Sequence, residues 1–357
     1  MRDIDKFRGC LIGGAAGDAL GYAVEFLLEK QIFSKYGKGG IAKYSLKNGI
    51  AEISDDTQMT LFTANGLLLG AARGNTDNYE DSIRLMYQCW YRTQTESYPL
   101  YDDCLHSWLL NIPELFSQRD PGMTCTGAIS AGADGTTEHP INDSKGCGGV
   151  MRVAPIGLYF CDKPTSYAQS DKLGAEAAAL THGHDLGFIP AAALAHIIRA
   201  VAEKNMPLKD AVSEAIQSTE ALFPDAEYIE EHTAILQKAV KLAEADMDDL
   251  TAIHMLGEGW VAEETLAIAV YCALKYSDDF DKALRVSVNH KGDSDSTGAV
   301  CGNILGAYLG YNAIPQKYKD RLELHDIILE LADDLCNDGA CRNEIWERKY
   351  VDATYPL

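Results

Sequence analysis

Apolar residues recur at intervals of three and four positions along most of this chain, which is the period of helices with one buried face. Alternating runs bounded by turn residues, which would indicate strands, are scarce. The pattern therefore predicts an all-α fold. It is clearest in segments rich in Ala, Leu and Glu, namely residues 82–92, 172–204, 228–246, 260–277 and 318–335.

The polar, glycine-rich stretch from residue 121 to 149 is the longest region without the helical period. Long irregular segments in compact domains are usually functional or disordered. No linker separates two regions of different composition. We therefore predict one all-α domain over residues 1–312, with residues 313–357 as a helical extension packed on the same domain.

Glycines recur every four residues in two of the predicted helices. One set is Gly9, Gly13, Gly17 and Gly21, and the other is Gly298, Gly302, Gly306 and Gly310. The spacing places each set on one helix face, where each interior glycine costs up to about 1 kcal/mol relative to alanine. We expect these stripes to serve tight helix packing near the centre of the fold rather than ligand contact.

The chain has 357 residues, of which 46% are apolar and 24% charged, as in ordinary globular proteins. Its net charge of −22 is unusual and repels phosphate backbones, which argues against nucleic acid as a main partner. Asp18 interrupts the apolar stretch near the start, and no uninterrupted run approaches membrane-spanning length. We expect neither a signal peptide nor a membrane partner.

The ten cysteines are scattered and form no Cys-x-x-Cys motif. The closest pair, Cys336 and Cys341, has no neighbours with zinc-ligand spacing. We expect reduced thiols and a cytoplasmic location.

Two stretches carry clusters of carboxylates and hydroxyls. In SDDTQM, Ser54 can cap a helix and place Asp55 and Asp56 in its first turn, where the helix dipole favours anions. This capping role alone would explain the residue types. However, adjacent carboxylates beside an apolar segment repel each other unless a cation lies between them.

The second stretch, GDSDSTG, places Asp293, Asp295 and the Ser296 hydroxyl within reach of one ion if it is extended. Such hard oxygen ligands suit Mg²⁺, Mn²⁺ or Ca²⁺. An EF-hand begins in the same way, but its twelfth position requires a bidentate Glu and is Ile304 here. We therefore exclude an EF-hand.

Five stretches in order resemble the ADP-ribosylglycohydrolase family, over about residues 5–312. They are FRGCLIGGAAGDALGYAVEF, SDDTQMTL, SKGCGGVMRVAPIGL, LTHG and GDSDSTGAVCGNILGAYLG. The family includes dinitrogenase-reductase-activating glycohydrolases and vertebrate ADP-ribosylhydrolases. The resemblance implies an orthogonal all-α bundle around a central site for two Mg²⁺ (or Mn²⁺) ions. It also implies hydrolysis of the C1″ glycosidic bond that joins ADP-ribose to a protein side chain.

The resemblance also implies roles for particular residues. Catalytic roles fall on Glu25, Asp55 and Asp56, with either Glu25 or Asp56 as general acid or base. Thr297 is a hydroxyl beside the metal ligands. The metal ligands fall on Ser54, Asp55, Asp56, Asp293, Asp295 and Ser296. The substrate-binding residues fall on Ser144, Lys145, Gly146, Cys147, Gly148, Gly149 and His182.

Several positions are open to plainer interpretations. Glu25 alone would be a solvated surface charge, and His182 a histidine ending a helix. Vertebrate members carry an aromatic residue in place of Lys145 and an asparagine in place of Cys147. Trp260 is a candidate for the missing stacking surface, although we expect it in the core. Met151 and Arg152 are interpreted as structural.

We therefore expect a Mg²⁺-dependent hydrolase that removes ADP-ribose from arginine- or serine-linked protein conjugates. Its partners would be ADP-ribosylated protein and ADP-ribose. The alternatives are a module that binds ADP-ribose without hydrolysis, a structural protein that reuses the fold, and a hydrolase of other conjugates such as O-acetyl-ADP-ribose. Intact metal-ligand positions argue against the first two.

Overall fold

The computed structural model describes residues 2–101, 106–338 and 343–355. Within these ranges the chain forms sixteen α-helices and no β-sheet, which confirms the all-α prediction. The helices are α1 Ile4–Gly21, α2 Glu29–Tyr36, α3 Asp55–Ala72, α4 Tyr79–Thr95, α5 Met123–Ser130, α6 Ala154–Tyr159, α7 Tyr167–Ala179, α8 Asp185–Lys204, α9 Leu208–Leu222, α10 Ile229–Glu244, α11 Asp249–Leu256, α12 Ala262–Lys275, α13 Phe280–Val288, α14 Ser294–Leu309, α15 His325–Asn337 and α16 Glu344–Tyr350.

Helices α1 and α14 form the central pair, and their glycine stripes face each other. A Cβ atom at Gly13 would lie 2.3 Å from the Gly302 carbonyl oxygen, and one at Gly302 would lie 1.9 Å from that of Gly13. Gly17 meets Gly298 in the same way. Because the pairs run in opposite order, the helices are antiparallel. The end of α1 therefore meets the start of α14, and the packing prediction for the stripes is confirmed.

Gly310 departs from the predicted stripe. It lies one residue beyond α14 with φ of 87°, and its N–H donates to the Gly306 carbonyl oxygen. This left-handed conformation suits glycine and ends the helix. At the other end of the helix pair, Gly21 packs against the Ser294 carbonyl oxygen.

Helix α8 crosses the interior and is buried over most of its length. By length and composition alone it could cross a membrane, with a mean hydropathy of 1.4, but 94% of its most apolar window is buried inside the fold. The segment from 172 to 204, which has one continuous helical pattern, is divided into α7 and α8 by a turn.

The stretch from 121 to 149 contains more helix than its composition suggests. Helix α5 lies within it, and a short 3₁₀ helix, Cys147–Gly149, closes it. α5 has only eight residues, three of them buried, so it is too short to give a clear periodic signal.

Residues after 312 contact the helices that precede them. Arg8 of α1 forms two hydrogen bonds with Asp333 of α15, at 2.6 and 2.7 Å. Ala51 pairs with Leu322 in a single parallel bridge just before α3. The domain boundary after residue 312 stays a prediction. The eight described cysteines are free thiols, while Cys104 and Cys341 lie outside the described residues.

Candidate active site

A cavity of about 710 Å³ opens where the end of α1 meets the starts of α3 and α14. Its lining includes six carboxylates, and none of the described residues that line it is Lys or Arg. The carboxylates belong to Glu25, Asp55, Asp56, Asp120, Asp293 and Asp295. We call the first three together with Asp293 and Asp295 the carboxylate floor.

Asp18 of α1, which is fully buried, holds the start of α3 in position. Its carboxylate accepts hydrogen bonds from the Ser54 N–H at 2.9 and 3.0 Å and from the Thr57 N–H at 3.1 Å. The Thr57 hydroxyl also donates to it. Ser54 caps the helix by accepting from the Asp56 N–H at 3.2 Å. These bonds leave the Asp55 and Asp56 side chains to face the cavity.

A second support comes from the C-terminal part of the chain. Arg119 forms hydrogen bonds of 3.0 and 3.1 Å with Glu323, whose carboxylate also accepts from the Ile53 N–H. The Arg119 carbonyl accepts from the Asp55 N–H at 3.2 Å. Both side chains are buried, so this ion pair fixes the backbone immediately before α3.

The start of α14 carries the other half of the floor. Asp293 is the N-cap of α14 and accepts from the Ser296 N–H at 3.3 Å. Its own N–H donates to the Glu258 carbonyl at 2.9 Å. The Thr297 hydroxyl donates to the backbone carbonyls of Ser287 and Asp293, so it supports the turn rather than facing the cavity.

Glu25 completes the floor from the turn after α1. One ligand atom each from Glu25, Asp293 and Asp295 lies within 4.8 Å of the others. All three residues are buried, so the expectation that Glu25 alone is a solvated surface charge is wrong. Among the described residues, Glu25 Oε2 and Asp56 Oδ2 are buried without a hydrogen-bond partner.

The electrostatics of the floor call for a cation. Burial, followed by repulsion from Asp295, raises the pKa of Glu25 to about 11. Burial and the same neighbour also raise the pKa values of Asp55, Asp56 and Asp293. Buried carboxylates that destabilise one another are stabilised by bound cations, and oxygen donors suit Mg²⁺ or Mn²⁺. The residues present therefore fit a divalent metal site.

One wall of the cavity is the loop at Gly146 to Gly148, backed by His182. A Cβ atom at Gly148 would lie 2.9 Å from His182 Cε1, so only glycine allows this approach. His182 Nδ1 bonds the Thr181 hydroxyl at 2.8 Å, and Arg152 donates to that hydroxyl at 2.6 Å. Burial, then Arg152, lowers the pKa of His182 to about 3, so the ring is neutral.

Most of the predicted site residues line this one cavity, but four do not. Ser54 and Gly149 are buried in the supporting structure, and Ser144 bonds Thr124 at 3.1 Å. Lys145 pairs with Glu263. The remaining predicted residues line the cavity, namely Glu25, Asp55, Asp56, Gly146, Cys147, Gly148, His182, Asp293, Asp295 and Ser296.

The plainer interpretations have mixed outcomes. Trp260 is 41% exposed at the cavity, so the expected core position is wrong. Met151 lines the cavity, whereas Arg152 is fully buried with its guanidinium 4.3 Å from the Tyr87 ring centre. Burial, then Asp293, raises the pKa of the Cys147 thiol well above its usual range, which disfavours a catalytic thiolate.

Sequence reasoning missed four contributors. Phe26, Asp120 and Met123 line the cavity, and Asp18 positions α3. Asp18 had a detectable signal, because a carboxylate inside a glycine-rich apolar helix must find buried donors. Phe26 and Asp120 lie outside the helices and Met123 begins the short helix α5, so no pattern in the sequence distinguishes these wall residues from ordinary surface residues.

The fold and the site define an all-α protein whose buried carboxylates converge from helix ends onto one cavity. The sequence model of the ADP-ribosylglycohydrolase family matches residues 1–344. The chain therefore belongs to the ADP-ribosylglycohydrolase family, and the predicted resemblance is confirmed. The reaction class of this family is the hydrolysis of ADP-ribose conjugates.

Named relatives agree with this assignment. The chain is 25% identical over 335 residues to ADP-ribosyl-[dinitrogen reductase] glycohydrolase of Rhodospirillum rubrum, covering 90% of this chain and 91% of that protein. It is 24% identical over 353 residues to mouse ADP-ribosylhydrolase ARH3, and the match covers 90% of this chain and 88% of that protein. A solved structure, an ADP-ribosylglycohydrolase-related protein complex, matches with a TM-score of 0.59 at 24% identity. The match covers 94% of this chain and 98% of the chain in that structure. That structure supports the fold.

Proposed function

We propose that this protein is a divalent-metal-dependent hydrolase that cleaves the C1″ glycosidic bond between ADP-ribose and a protein side chain, linked through arginine or serine. The observation that carries the proposal is the carboxylate floor, where buried carboxylates from three helix ends meet and two of their oxygens have no partner among the described residues. Such an arrangement is costly unless a ligand uses it.

Two Mg²⁺ or Mn²⁺ ions would be held by Asp55, Asp56, Asp293 and Asp295, with Ser296 beside them. When bound, the ions would orient the ribose hydroxyls and activate a water molecule. Breaking the C1″ bond builds positive charge on the ribose, and the anionic oxygens of the floor stabilise that charge. Glu25, with a carboxylate oxygen within 4.8 Å of one from Asp293, would hold or accept the proton that the reaction moves.

The diphosphate would lie along the loop at Gly146 to Gly148, which lines the same cavity. The Cys147 N–H already donates to the Trp260 carbonyl at 3.2 Å, so it does not serve as a phosphate donor in this conformation. Neutral His182 adds no charge beside the phosphates, and glycine lets the backbone approach the ligand closely.

The test measures release of free ADP-ribose from an arginine-linked and a serine-linked protein, each with Mg²⁺ and with EDTA. We expect release from at least one substrate only when Mg²⁺ is present. The Asp295→Asn variant should lower that rate by about 1000-fold, because one floor carboxylate is lost. Release from O-acetyl-ADP-ribose alone would instead favour the alternative leaving group.

A binding measurement separates the metal from catalysis. Because Asp295 repels the other floor carboxylates, Asp295→Asn should raise the melting temperature of the metal-free protein while removing the shift that Mn²⁺ produces. Asp225→Asn removes an exposed carboxylate away from the cavity and is the matched control. Release that persists undiminished in EDTA would contradict the proposal. The cytoplasmic location and the expected absence of nucleic-acid and membrane partners stay predictions.

A further inference from the structure

Two large aromatic side chains are exposed at the cavity mouth and contact each other. Phe26 is 66% exposed and Trp260 41% exposed, and both line the cavity. Their ring centres are 6.2 Å apart and their planes differ by 22°, which is a stacked arrangement. Exposed apolar surface of this kind in a ligand cavity indicates a contact surface for a ligand.

Trp260 is fixed by both its backbone and its side chain. Its carbonyl accepts from the Cys147 N–H, and the neighbouring Ala262 N–H donates to the Lys145 carbonyl at 2.9 Å. The Trp260 ring is also stacked on the Phe26 ring. The backbone bonds and this ring contact hold the indole at the cavity before any ligand binds, which reduces the entropy cost of stacking.

The remaining lining offers no comparable surface for a flat base. Among the described lining residues, the third ring is that of His182, which is buried behind Gly148. Stacking a base on an aromatic side chain contributes about 1–3 kcal/mol, and tryptophan offers the largest ring.

From this geometry we propose that Trp260, held against Phe26, is the platform on which the purine base of an ADP-ribose conjugate stacks. The inference rests on the proposed function, since the base belongs to that substrate. Phe26 directly follows Glu25, so the platform also packs on the turn that carries the Glu25 carboxylate to the floor. Recognition of the base and placement of Glu25 are thus connected through one turn.

The experiment compares the binding of two probes, ADP-ribose and ribose 5-phosphate, with Mg²⁺ present, by calorimetry. Trp260→Ala should raise the Kd for ADP-ribose by about 10- to 100-fold and leave that for ribose 5-phosphate within about twofold, because only the first probe carries the base. Trp260→Phe should restore ADP-ribose binding to within about fivefold. Tyr98→Ala is the matched control, because Tyr98 is 40% exposed and contacts the Phe116 ring without lining the cavity.

Fluorescence gives an independent measurement. Of the four tryptophans Trp260 alone is exposed, since Trp90, Trp108 and Trp346 are buried. ADP-ribose should quench the native emission, and Trp260→Phe should abolish the quenching while binding persists. Unchanged ADP-ribose affinity in Trp260→Ala would overturn the platform and leave the proposed function intact. Failure of the native protein to bind either probe would overturn both.

Discussion

The floor and the mouth of the cavity are built in opposite ways. The floor carboxylates lie at the ends of long helices, are buried, and are fixed by backbone contacts between α1 and α14 and by the bonds of Asp18. The mouth is formed by Phe26, Met123 and Trp260, which are exposed on turns and loops or at the first residue of a short helix.

This difference separates two requirements of the site. Carboxylates that are proposed to hold metal ions need fixed positions, and the ends of packed helices supply them. Contacts that select a ligand need surface, which loops and turns provide. Changes in the floor should therefore affect folding and chemistry together, whereas changes at the mouth should affect recognition with little effect on stability.

The largest effect is expected from adding a side chain where the backbones of α1 and α14 are in contact. Gly302→Ala would place a Cβ atom 1.9 Å from the Gly13 carbonyl oxygen, so the helices must separate. We expect the free energy of unfolding to fall by about 3 kcal/mol or more, and metal binding to weaken because the two halves of the floor move apart. Urea unfolding and a Mn²⁺ titration measure the two effects.

Gly127→Ala is the control for this substitution. Gly127 also lies inside a helix, α5, but a Cβ atom there meets nothing within 4 Å. Alanine should stabilise the protein by up to about 1 kcal/mol through helix propensity. Equal destabilisation by both substitutions would refute the role assigned to the glycine contacts.

The next effect concerns the support beneath α3. The N–H groups of Ser54 and Thr57 now donate to the Asp18 carboxylate, and Asp18→Asn would replace one of its two accepting oxygens by an NH₂ donor. We expect a loss of about 2 kcal/mol in stability and a reduced Mn²⁺ affinity, since α3 carries Asp55 and Asp56. Asp225→Asn again controls for the loss of a charge. An unchanged metal affinity would show that α3 is positioned without Asp18.

How far the sequence predicts these regions also differs between floor and mouth. The helical period predicted the fold class, and the two carboxylate clusters predicted the α3 and α14 parts of the floor, because local spacing determines which residues share a helix face or start. Glu25 was assigned to the site only through the family resemblance. The contact of α1 with α14, which unites Glu25 with Asp293, depends on packing across almost the whole chain. Trp260 was wrongly expected in the core, since an aromatic residue in a turn gives no sign of its exposure.

A buried histidine away from the site tests whether unpartnered polar atoms always carry function. His232 begins the buried stripe of α10, and neither ring nitrogen has a partner among the described residues. Burial lowers its pKa to about 3, whereas the unfolded chain has a value near 6.5. The unfolded state therefore binds more protons below pH 6.5, and stability falls as the pH falls through that range.

His232→Leu should remove this pH dependence. Between pH 7 and pH 5 the native protein should lose about 2 kcal/mol more stability than the variant, measured by urea unfolding at both values. The floor carboxylates are present in both proteins, so their titration cancels in the difference. His139→Leu, at an exposed position, controls for the loss of a histidine from the surface. An equal loss in native protein and His232→Leu would mean that the ring is hydrated in solution.

The smallest effect is expected at the mouth. Met123 is 90% exposed at the first residue of α5, so it buries little apolar surface in the folded chain. Met123→Ala should change the free energy of unfolding by less than about 0.5 kcal/mol, measured by the same urea unfolding. A loss comparable to that of Gly302→Ala would mean that the mouth helps to hold the floor together, and the division between a rigid floor and a separable mouth would then be wrong.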